Sequence, residues 1–139
     1  MTGNSSAMTR TSSPTIVWVM RILSAITLLA VGGIHLYLRF AGVGGILGVF
    51  FILNAIAGLV LAIGMLVLKG RLLTITAILS LLFVIATLGA LLLALTVGLF
   101  GITESWDFTL VPETVIVESI GIVVLAVAAW VIARTPQTT

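Results

Sequence analysis

The chain of 139 residues contains no cysteine, which removes disulfides, thiolate metal ligands, thiol nucleophiles and cysteine-held clusters from consideration. Charge is scarce as well: six Lys or Arg, four Asp or Glu and a single His, with charged residues only 7% of the total. The pI near 10.0 rests on those few cations, which stand as singles or near-pairs with no basic stripe, so nucleic-acid binding is not supported. There is no Walker A loop, dinucleotide fingerprint, G-x-S-x-G elbow or H-E-x-x-H pair. Enzyme chemistry therefore has no recognisable motif to rest on, and no catalytic residue is assigned.

What the chain has instead is apolar length. Hydrophobic residues make up 61% of it and the mean hydropathy is +1.41, values that exclude an ordinary soluble domain. Crossing about 30 Å of hydrocarbon at 1.5 Å per residue takes roughly 20 apolar residues. Residues 16–38, 43–68, 72–100 and 111–133 meet that requirement, and none shows the alternation of a barrel strand. The links between them are short, the longest being the stretch 101–110. The pattern predicts an all-α membrane protein: an antiparallel up-down-up-down bundle of four transmembrane helices over residues 16–134. The polar opening, residues 1–15, reads as a disordered tail, and residues 135–139 as a short C-terminal one. A cleaved signal peptide is the rival for the start, but the apolar run is too long and no A-x-A-like site follows it.

Lys and Arg set the orientation. Arg10, Arg21, Lys69, Arg71 and Arg134 gather on one side and only Arg39 on the other, which predicts both termini in the cytoplasm. Trp18 and Trp130 at one interface, and Tyr37 and Trp106 at the other, fit an aromatic belt. Arg21 lies about one turn inside the first span, where its stem can snorkel to the interface, and Lys69 and Arg71 suit contact with anionic lipid heads.

Each span carries a small or polar stripe at helical spacing, as helices that associate in lipid require. Gly32 on the first helix, Gly44, Gly48 and Gly58 on the second, Ala86, Ala90, Ala94 and Gly98 on the third and Gly121 on the fourth are expected to permit close packing. Asn54, near the middle of the second span, is expected to form an interhelical hydrogen bond. Ser and Thr within the spans are expected to bond their own backbone one turn back.

The ionisable residues raise the functional question. At 1.5 Å per residue, His35 falls roughly 10–12 Å and Glu118 roughly 6 Å outward of the midplane. With Arg39 and Glu113 they form a candidate polar cluster, covered by a loop bearing Glu104, Trp106 and Asp107. An ionisable group in hydrocarbon costs a few kcal/mol, roughly 2.5–3.5 at a helix centre, so it is normally paired or neutral. A His35–Glu118 or Arg39–Glu118 pair that fixes bundle register is one reading. An ion or proton site is another, and a metal site on His35 and Glu118 a third, although one His without Cys is a sparse ligand set. Haem on His35 would have a single axial ligand unless the chain dimerises. No cofactor is predicted.

The run G-I-H-L at Gly33–Leu36, the short link after it, G-V-F-F at Gly48–Phe51 with the apolar run that follows, and Glu118 early in the last span resemble a loose group of small four-helix bacterial membrane proteins. That group is common in high-GC Gram-positive genomes and carries a G-x-H-L motif in its first helix. The resemblance covers the chain from about Gly32 onward and implies a four-helix fold in the bacterial cytoplasmic membrane; the group has no assigned activity. Its members often hold a second His in the first outer link, where this chain has R-F-A-G-V-G, a departure that speaks against a metal. The sequence favours a non-catalytic accessory or structural subunit, whose partners are the bilayer and either itself or a larger membrane complex. An ion, proton or metal-handling protein using His35 and Glu118 is the alternative. No inverted-repeat transporter pattern of broken helices is visible.

Overall fold

The computed structural model describes residue 3 and residues 13–136, and most of the expected N-terminal tail lies outside that range. Four helices account for nearly all of it: α1 (Pro14–Phe40), α2 (Gly45–Val67), α3 (Gly70–Thr96) and α4 (Val111–Arg134). Each is long and apolar enough to cross a membrane.

Local chemistry explains where the helices begin and end. The Ser13 hydroxyl accepts the Ile16 N–H (3.3 Å) and Pro14 occupies the first turn, so α1 starts two residues earlier than hydropathy alone suggests. The third helix stops at Thr96, short of the expected residue 100. Gly98 turns left-handed (φ 84°), then Phe100 and Gly101 (φ 51° and 75°) make a tight reversal in which Leu99 and Ile102 exchange two 2.8 Å backbone hydrogen bonds. The chain then folds back, the Glu104 N–H bonding to the Ala94 carbonyl at 3.0 Å.

Helix α1 is the hub. It packs along α2 on one side and α4 on the other, α3 packs on α4, and α2 and α3 meet far less. Numbers fall along α2 as they rise along α1: Arg21 meets Met65, Leu28 meets Gly58, Gly32 meets Ala55, His35 meets Phe51 and Arg39 meets Gly48. Glycine makes this seam possible. A Cβ on Gly58 would stand 2.9 Å from the Leu28 carbonyl oxygen, and one on Gly32 would stand 3.3 Å from that of Ala55. On α4, Gly121 makes room for Thr27 and Val84, and the fully buried Leu28, Val31, Leu125 and Ile132 complete the centre.

Arg21 does more than snorkel. Only 6% exposed, it closes the C-terminal end of α2, its Nε donating to the Met65 carbonyl at 2.7 Å and its Nη2 to those of Leu66 and Leu68 at 2.8 and 2.9 Å. The Met65 and Leu66 carbonyls belong to the last helical turn, which has no partners within its own helix, and that of Leu68 to the C-cap residue just beyond it. The guanidinium also lies 4.3 Å from the Trp18 ring centre, and Arg134 stacks on Trp130 at 4.1 Å.

Candidate functional site

The four residues expected to cluster do not converge. Among the described residues no ion pair joins His35, Arg39, Glu113 or Glu118, and no three His, Asp or Glu side chains come together as a metal site. The reason is helix facing. His35 turns toward α2, its ring edge-on to Phe51 (5.0 Å between centres, 86° between planes), and its Nδ1–H donates to the Val31 carbonyl at 2.8 Å. Glu118 lies on α4 one turn before Gly121, on the face that packs on Thr27 and Val84. Arg39 lays its side chain over Gly48, and Glu113 stands exposed in the first turn of α4, where a carboxylate complements the helix end.

Glu118 is fully buried, and both carboxyl oxygens lack a hydrogen-bond partner among the described residues. Thr87 approaches from α3, but its hydroxyl donates to the Val84 carbonyl at 3.0 Å. Asn54 does not make the expected interhelical hydrogen bond: its Oδ1 is shut off from the surface and unpaired among the described residues. Ser24, Thr76, Ser80, Thr114 and Ser119 each donate to the carbonyl one turn back, at 2.6–2.8 Å.

The small-residue stripes divide. Gly32, Gly48, Gly58 and Gly121 sit where a neighbour leaves no comfortable room for a Cβ. Gly44 is instead the N-cap of α2 with open space around it, so the Gly44–Gly48 pair is not a packing motif; Gly98 lies past the end of α3 and serves its terminating turn. Ala86, Ala90 and Ala94 do not form a seam with α2. They line a cavity, because α2 and α3 stand apart there.

That cavity, about 360 Å³, lies toward the loop end of the bundle. Phe50, Phe51 and Asn54 from α2, His35 from α1, Phe83, Thr87 and Ala90 from α3 and Thr114 from α4 form its walls, and Phe100, Glu104 and Phe108 border it from the loop. A second hollow of about 610 Å³ between the α1–α2 link and the loop shares Leu38, Leu47, Glu104 and Phe108 with the first. These shared residues divide the apolar hollow from the outer one, and the apolar hollow is itself partly open, Phe50 and Phe100 on its wall being exposed. Partial burial at this divide raises the Glu104 carboxyl above its ordinary range. Trp106 and Asp107, which share the loop, are exposed and line neither space.

Sequence reasoning missed the chamber because α2 and α3 are neighbours in sequence, which suggests contact rather than a gap. The available signal was the aromatic pair Phe50–Phe51 facing a helix of small residues. No protein-family model, curated protein or solved structure matches the chain, so the geometry of this chamber carries the functional argument by itself.

Proposed function

We propose that this is a small multi-pass membrane protein that works by binding, holding a membrane-soluble molecule in the chamber between α2 and α3 as a non-catalytic accessory component of a membrane assembly. The chamber is the observation that carries the reading. Its volume falls in the range of small-molecule sites, about 300–1,000 Å³, and such sites are mostly apolar with a few placed polar groups and often lie between helices of bundles. His35 and Asn54 supply those polar groups here.

The membrane setting completes the proposal. The four helices form an up-down-up-down bundle in the bacterial cytoplasmic membrane with both termini inside. The contact ladder of α1 and α2, the short links, the Lys and Arg distribution and the Arg–Trp pairs at the end where α1 begins and α4 finishes support this placement. The ion, proton or metal alternative has less behind it, since His35 and Glu118 do not meet.

Purification in mild detergent, followed by solvent extraction with mass spectrometry and by identification of co-purifying proteins, tests both halves. The wild type is expected to retain an apolar small molecule that Ala90→Phe, which fills the chamber, no longer retains. The same molecules recovered from both proteins would refute the chamber as the site, and a clean monomer with no partner would refute the accessory role.

A further inference from the structure

Resting on the reading of the chamber as a binding site, we propose that its occupant is a lipophilic monocation, with its positive head at Glu104 and its apolar body among the phenylalanines of the chamber. Glu104 borders both the apolar hollow and the outer one, and it is the one Asp, Glu, Lys or Arg in the lining of either. Its carboxyl makes no hydrogen bond or ion pair among the described residues, while partial burial raises it above its ordinary range, the mark of lost hydration. A carboxylate short of water and without a partner attracts a cation and repels an anion. Arg39, the cation of this end of the bundle, lies over Gly48 and lines neither hollow. Asp107 and Glu113 at the same end add negative charge to the approach.

The walls decide which kind of cation. Five of the six phenylalanines of the chain, Phe50, Phe51, Phe83, Phe100 and Phe108, border the apolar hollow. The face of a phenyl ring is the negative part of its quadrupole, so such walls accept an alkyl-shielded ammonium as well as hydrocarbon. A strongly hydrated ion would have to give up its water to enter. Thr103, Ser105 and Thr109 line the outer hollow and make a polar path to Glu104. Because the apolar hollow is partly open, charge and aromatic surface select the class of occupant and volume does not.

Benzyltrimethylammonium and neopentylbenzene share one shape and differ in a charged nitrogen in place of a carbon. Each is titrated into the full-length protein in a nonionic detergent, and the concentration giving half of the maximal rise in unfolding temperature is read. Comparing proteins at one detergent concentration cancels partition of the ligand into micelles. Glu104→Gln is expected to raise the value for the cation roughly 2- to 5-fold, the worth of one partly exposed ion pair, and to leave that for neopentylbenzene unchanged. Asp107→Asn, exposed in the same loop and outside both hollows, should change neither. Tetramethylammonium, the head without the body, should need a higher concentration than benzyltrimethylammonium. If Glu104→Gln leaves the cation's value where it was, if Asp107→Asn shifts it as much, or if tetramethylammonium acts as well, the cation assignment is wrong, and a response to neopentylbenzene keeps the chamber as a site. If neither benzyltrimethylammonium nor neopentylbenzene raises the unfolding temperature of the wild type, the chamber reading fails and takes this inference with it.

Discussion

Replacing Arg21 with Met keeps most of the side chain's length and removes the guanidinium that closes α2. Three hydrogen bonds at 2.7–2.9 Å then vanish, leaving the carbonyls of Met65, Leu66 and Leu68 without those donors. A hydrogen bond to a charged group is worth about 1.5–3 kcal/mol, but bonds made by one side chain are coupled and do not add. Burying the cation also carries a desolvation cost that Met does not share. The net loss should fall near 2–5 kcal/mol, the lower figure being about one full charge-assisted bond. Arg21→Lys should lie between Met and wild type, because an ammonium cannot reproduce the fork that spans three carbonyls. Unfolding in mixed micelles with rising SDS, followed by far-UV circular dichroism, measures all three proteins. An Arg21→Met variant within about 0.5 kcal/mol of wild type would refute the capping argument, since that is the scatter of ordinary surface substitutions.

Other perturbations separate packing from polarity. Gly58→Ala forces a Cβ to within 2.9 Å of the Leu28 backbone and should cost about 1–3 kcal/mol, whereas Gly89→Ala, with nothing within 4 Å, should gain about 0.5–1 kcal/mol in the same unfolding assay. Because both Glu118 oxygens are unpaired among the described residues, Glu118→Met should stabilise the fold by about 1–3 kcal/mol; a loss of that size would reveal a partner for the carboxyl. Burial raises Glu104, so the folded state holds this proton more tightly than the unfolded chain and its contribution to stability is lost as pH rises through the raised value. Glu104→Gln should therefore unfold at a higher temperature than wild type at neutral pH, with the difference vanishing in acid.

Helices and their apolar length were legible because hydropathy over some twenty residues is a long, redundant signal. The α1 and α4 stripes could be read for the same reason, since Ser24, Leu28 and Gly32, like Thr114, Glu118 and Gly121, recur at helical period and are buried. Pairings between helices were not legible. His35 and Glu118 both fall in the outer half of the bundle in the sequence argument, yet rotation about each helix axis decides whether side chains meet, and depth carries no information on rotation. The end of α3 was hidden too: Thr96 to Phe100 stays apolar while the backbone reverses, so hydropathy continues where the helix does not. The Ala86–Ala90–Ala94 spacing suggested a seam because small residues allow close approach, but they equally leave space when the facing helix stays away.

The absence of cysteine makes the central claim directly measurable. Ala90→Cys places one thiol in the chamber wall, and Ile85→Cys places one on the exposed face of the same helix. The rate of modification by a membrane-permeant thiol reagent, with and without saturating neopentylbenzene, compares the two. Slower modification of the Ala90→Cys protein with no change in the Ile85→Cys protein is the expected result; equal rates with and without neopentylbenzene in both variants, or equal slowing in both, would contradict a binding chamber between α2 and α3.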